Sequence, residues 1–149
     1  MATPQTILVP IVNSAASFEA VSIAVTLAKP RKGRVYVVHV IEVNRSLPLN
    51  AELESEARRG EQLIRRAEEV ASEHGCQVYG QLLQAREAGQ AIVDEARDRD
   101  VDAIIMGIGY KKLTGSFAVG QTADYVLKEA SSQVWVVRQP MAVSGALLE

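Results

Sequence analysis

The residues best suited to chemistry lie in one stretch, Met106-Gly107-Ile108-Gly109-Tyr110-Lys111-Lys112-Leu113-Thr114-Gly115-Ser116, followed by Gly120-Gln121-Thr122. Glycine lacks a Cβ, so backbone N–H groups at Gly107, Gly109 and Gly115 can come close to an anion. Lys111 and Lys112 add positive charge. Gly120-Gln121-Thr122 stands where a helix would open, and the unpaired N–H groups of a helix N-terminus favour phosphate. The chemistry on offer is anion binding. The same residues also describe an ordinary turn beside two solvated lysines, and spacing alone does not separate the two.

Other reactive side chains lack partners. His39 interrupts an apolar run with no second His or Cys in a metal-ligand pattern, which favours a satisfied core or rim residue. His74 ends a helical stretch, where an imidazole complements the helix dipole. Cys76 follows a helix stop and reads as packed. Ser14 and Ser116 have neither a nucleophile elbow nor an assignable His and acid, so capping and turn roles account for them. No metal site is assigned.

Elements to hold the glycine-rich stretch follow from the apolar pattern. Ile7 to Val12 reads as a buried strand that Pro10 brings toward its end. Ser14 and Ser17 are candidate caps for a helix through Val21, Ala24 and Ala28, stopped at Pro30. Val35 to Ile41 is a second buried strand. Leu53 to Ala71 steps by four and three residues with charges on the other faces, a long amphipathic helix closed by Gly75. Gln77 to Leu83, interrupted by Gly80 and Gln81, suits an edge strand. Ala88 to Ala96 is a helix, Val101 to Met106 a strand, Ala123 to Ala130 a helix and Val134 to Val137 the last strand, where Trp135 fits a sheet face or a dimer seam. Alternating strands and helices predict a parallel sheet covered on both faces, with ligands beyond the carboxyl ends of its strands.

The chain has 149 residues, 48% of them hydrophobic, enough for one domain over 1–138 with a loose tail at 139–149. Sixteen Lys and Arg against eighteen Asp and Glu give a net charge of −2, which argues against a nucleic-acid or anionic-membrane footprint. The single cysteine and the absence of a secretory start favour the cytoplasm.

Taken in order, Ile7-Leu8-Val9-Pro10, His39-Val40-Ile41, Asp102-Ala103-Ile104-Ile105-Met106-Gly107, Gly120, Ala123-Asp124-Tyr125-Val126-Leu127 and Val134-Trp135-Val136-Val137-Arg138 resemble the universal stress protein family from about Ile7 to Arg138. The resemblance implies a doubly wound α/β domain of the adenine nucleotide alpha hydrolase type, a five-stranded parallel sheet ordered 3-2-1-4-5. It also implies a homodimer through the last strand, Val134 to Arg138, and ATP or another adenine nucleotide at the ends of strands one and four. The implied site comprises Pro10, Ile11, Val12, Asn13, Val40, Met106, Gly107, Gly109, Tyr110, Lys111, Gly120, Gln121 and Thr122, with the Val40 backbone meeting the base.

Three positions depart from the pattern of the nucleotide-binding members: Val12 replaces a ribose-contacting Asp, Tyr110 the second loop glycine, and Gln121 a Ser or Thr. Two outcomes are compatible with these changes. Gly109 and Gly115 re-form a cradle with Lys111, Lys112, Ser116 and Thr122, and Tyr110 stacks on the base. Alternatively Tyr110 plugs the cleft and the domain is a ligand-free adaptor, such as the cytoplasmic regulatory part of a membrane transporter. Slow ATP hydrolysis is the weakest of the expectations, because the loop offers neither a base nor a metal-holding acid.

Overall fold

A computed structural model describes residues 4–109, 112–113, 116–117 and 120–140. Five parallel strands form the main sheet: β1 (Thr6–Pro10), β2 (Arg34–Glu42), β3 (Tyr79–Ala85), β4 (Ala103–Ile108) and β7 (Gln133–Arg138). Their order is β3-β2-β1-β4-β7, the predicted 3-2-1-4-5 with β7 as the fifth strand. Lys112–Leu113 (β5) and Ser116–Phe117 (β6) pair antiparallel within the stretch expected to be a plain loop. The helices are α1 (Ala15–Ala28), α2 (Glu54–Glu73), α3 (Ala88–Asp98) and α4 (Gln121–Glu129), with a 3-10 turn at Lys29–Arg31.

Period-two alternation divides the core between the two faces of the sheet. Ile7, Val9, Val35, Val37 and Ile105 pack on the α1 and α2 side. Leu8, Val38, Ile104 and Met106 pack on the α3 and α4 side. β1 and β4 are buried along most of their length, as central parallel strands must be. β3 is the edge strand its glycine and glutamines foretell, with Tyr79, Gly80 and Gln81 exposed.

Several boundaries shift for local reasons. β1 ends at Pro10 rather than Val12: Ile11 N–H still reaches the Val38 carbonyl at 2.8 Å, but Val12 N–H turns to Ser17 Oγ at 2.9 Å. Ser14 caps α1, accepting from Ser17 N at 3.2 Å, whereas Ser17 is 1% exposed and holds the preceding loop instead of capping. Gly75 closes α2 with φ 71°, its N–H bonded to Ser72 O and that of Cys76 to Ala71 O. β3 and β4 each start two residues later than the apolar runs suggest. At β4 the delay arises because Val101 N–H bonds the Ala96 carbonyl, while Asp102 accepts from Gln5 and Thr6 N–H at 2.9 Å each.

Candidate functional site

The chain order reverses between β1, which runs to β2, and β4, which runs to β7. The connections leaving β1 and β4 therefore diverge, and a crevice opens beyond their carboxyl ends. Two close approaches shape it. Gly107 on β4 faces the first turn of α1, where an added Cβ would meet Ala16 C at 2.2 Å and Ser17 N at 2.5 Å. Gly89 on α3 faces Tyr125 on α4, with an added Cβ 2.9 Å from the tyrosine Cβ. The first contact draws α1 under β4. The second brings the openings of α3 and α4 together over the opposite face.

A cavity of about 260 Å³ remains between them. Pro10, Ile11 and Val12 form one wall, Val40 the floor toward β2, and Met106, Gly107 and Gly109 the other wall. Gly120 and Thr122 close the side at α4. Nine of the thirteen residues expected from the sequence thus meet at one hollow. Asn13 does not line it but faces a wider depression of about 620 Å³ between β2 and α2, with His39, Arg59 and Arg66. That larger hollow adjoins the first through Val40 but opens toward α2 rather than between β1 and β4. Gln121 borders the outer surface beside Tyr125. Tyr110 and Lys111 lie outside the described residues, as do Thr114 and Gly115.

The cavity lining also includes Ser17, Val38, Ala88, Ile92, Ile108 and Ala123, which sequence reasoning missed. Their apolar or capping patterns already explain them as core or helix positions, so no separate signal marks them. Ala88 alone was accessible through topology, because it opens the helix that leaves the end of β3. Glu42 accepts from Ala88 N–H at 2.9 Å and ties that opening to the end of β2.

No charged side chain is found among the described lining residues. The hollow is an apolar slot edged by backbone and by the Thr122 and Ser17 hydroxyls. Among the described residues its electropositive feature is the opening of α4: Gly120 occupies the N-cap with φ −65° and ψ 164°, and no described side chain caps the helix. N–H groups of a first turn with no partner among the described residues suit a ligand or water. A Cβ at Gly109 or Gly120 would meet nothing within 4 Å, so these glycines leave space where Gly107 fills it. His39, on the neighbouring strand, donates from Nδ1 to the Ile11 carbonyl at 2.9 Å and steadies the end of β1. It is the satisfied rim residue its setting suggests.

Comparisons with known proteins agree with this architecture. The family model described as the universal stress protein family matches residues 4–138. A universal stress protein of Methanocaldococcus jannaschii is 30% identical over 140 residues, covering 90% of this chain and 82% of the relative. Among solved structures, a universal stress protein from Archaeoglobus fulgidus superposes with a TM-score of 0.77 at 24% identity, over 89% of this chain and 98% of that one. One from Archaeoglobus fulgidus in complex with dAMP gives 0.72 at 21% identity, over 91% and 99%. Another universal stress protein, in complex with cAMP, gives 0.68 at 17% identity, over 92% and 98%. The family match runs through every strand of the main sheet and through both walls of the crevice, and the chain belongs to the universal stress protein family.

Proposed function

We propose that this protein is a regulatory module that binds an adenine nucleotide in the crevice between β1 and β4. The observation that carries the reading is the pairing, among the described residues, of an uncharged, apolar slot with the uncapped opening of α4 at its edge. A purine is flat and apolar on its faces, and suits the slot between Pro10, Val40 and Ile92. A phosphate suits the N–H groups that follow Gly120. Relatives of the same fold that bind dAMP and cAMP support the ligand class. Bound and free forms would then be two states for a partner to distinguish.

Isothermal calorimetry with AMP, dAMP, cAMP, ADP and ATP tests this. Saturable heat that disappears in Gly120→Val supports the reading. The added Cβ meets nothing within 4 Å and the φ is ordinary, so the backbone tolerates the change. Absence of heat with all five ligands refutes it and leaves the ligand-free adaptor.

A homodimer through β7 has its own support. Among the described residues β7 is an edge strand paired only with β4, and Trp135 and Val136 on it are each 37% exposed. Sedimentation equilibrium of Trp135→Glu tests the interface, with a shift from dimer to monomer expected. An unchanged mass rules this interface out.

A further inference from the structure

We propose that the open edge of β3 binds an extended acidic segment of a partner protein as an added strand. Among the described residues β3 pairs with β2 alone, in unbroken register from Tyr36 and Tyr79 to Glu42 and Ala85. The ladder shows which of its backbone groups point away from the sheet. The Val43 N–H bonds the Ala85 carbonyl at 2.8 Å, so the backbone of Ala85 faces β2. Facing alternates along a strand, so Leu83, Gln81 and Tyr79 also face β2, while Gly80 and Leu82 direct N–H and C=O outward. No described residue bonds those outward groups.

Edge strands are commonly blunted by a bulge, a proline or a lysine, and Tyr79–Ala85 has none of these. The two faces beside the edge decide which strand fits it. On the α2 side a hollow of about 420 Å³ runs along Gly80 and Leu82, with Ile64 as its apolar wall and Glu61, Arg65 and Glu68 exposed around it. On the α3 side stand two cations on two tyrosines: Arg34 lies 5.8 Å from the Tyr79 ring centroid and Arg99 4.3 Å from that of Tyr36. Tyr79 is 50% exposed. Glu95 already pairs with Arg99. Arg34 is exposed and bonds the Tyr36 hydroxyl, but it meets no carboxylate among the described residues, and its five-donor fork has N–H groups to spare.

Side chains of an added strand alternate between these two faces, and backbone hydrogen bonds to Gly80 and Leu82 hold it in place. Apolar side chains suit the hollow over Ile64 and Leu82, and acidic ones suit the Arg34 and Arg99 side. A slip of one residue would set the carboxylates against Glu61 and Glu68, so charge also fixes the register. A second copy of β3 does not meet this demand, because Tyr79–Ala85 carries no carboxylate.

Fluorescence anisotropy with a labelled peptide of four Val-Glu repeats tests the proposal. Wild type should bind it saturably and at least about tenfold more tightly than a peptide of four Val-Lys repeats. Arg34→Glu should weaken the Val-Glu peptide by about tenfold, with the variant's fold checked from its amide spectrum. Amide hydrogen exchange reads the geometry in the unsubstituted protein: Gly80 and Leu82 should exchange at least about tenfold more slowly with the peptide bound, while Gln81 and Leu83, already paired to β2, change little. No saturable binding of the Val-Glu peptide, equal affinity for the two peptides, unchanged affinity in a folded Arg34→Glu, or binding without slowed exchange at Gly80 and Leu82 would each overturn the assignment.

Discussion

Gly107→Ala separates the architectural glycine from the glycines that leave room for a ligand. Its added methyl would stand 2.2 Å from Ala16 C, 2.4 Å from Ala16 O and 2.5 Å from Ser17 N. Carbon contacts relax at about 3.5–4.0 Å, so relief requires a displacement of more than about 1 Å. The obstructing atoms are backbone in the first turn of α1 and cannot turn aside as a side chain would. That helix buries Phe18, Ala20, Val21, Ala24 and Val25 against the sheet, and moving it disturbs the core on that face. The cost belongs at or beyond the top of the overpacking range, about 3 kcal/mol or more. With a urea slope of about 2 kcal/mol/M, the midpoint falls by about 1.5 M. Gly109→Ala, with nothing within 4 Å of its new methyl, should change stability by no more than about 0.5 kcal/mol. Urea unfolding followed by circular dichroism reads both variants. If Gly107→Ala unfolds at the wild-type midpoint, the packing argument for this glycine is wrong.

Further outcomes follow from single contacts. Ser17→Ala leaves the Val12 N–H without its acceptor and should cost about 1–2 kcal/mol in urea unfolding, with a several-fold loss of nucleotide affinity as the Pro10–Asn13 wall loosens; unchanged values in both assays would dismiss the role. Backbone donors from Thr6 first and then Gln5 hold the Asp102 carboxyl below its ordinary value of 3.8. A depressed folded pKa gives stability that is present above the unfolded value and lost as pH falls through the folded one. Asp102→Asn should accordingly be less stable than wild type by about 1 kcal/mol at neutral pH, the exposure of the group keeping the figure small, and the difference should close in acid as the folded carboxyl becomes protonated. A difference that persists unchanged into acid would show that the carboxylate charge is not the source.

Much of the fold was legible because burial on both faces leaves parallel strands as plain apolar runs. Ile7-Leu8-Val9 and Ile104-Ile105-Met106 announce the two central strands, and the polar interruptions at Gly80 and Gln81 announce an edge. Strand ends were less legible, because hydrogen bonding decides them: Ile11 and Val12 look like strand but leave it when Ser17 captures the Val12 N–H. In the site, the glycines were readable and their roles were not. Gly107 and Gly120 look alike in sequence, yet one fills a contact with α1 and the other opens space at α4. The walls supplied by Ile92 and Ala123 were invisible, since an apolar residue on a helix serves core and cavity equally well.

Titration of ¹⁵N-labelled protein with dAMP, followed by amide chemical shifts, reports most directly where a nucleotide sits. The largest shifts are expected at Val12, Val40, Gly107, Gly109 and the first turn of α4 from Gly120 to Ala123, with the Lys32 and Cys76 amides at the far pole unmoved. Saturable shifts confined to other surfaces, or none at all, would contradict a nucleotide site between β1 and β4.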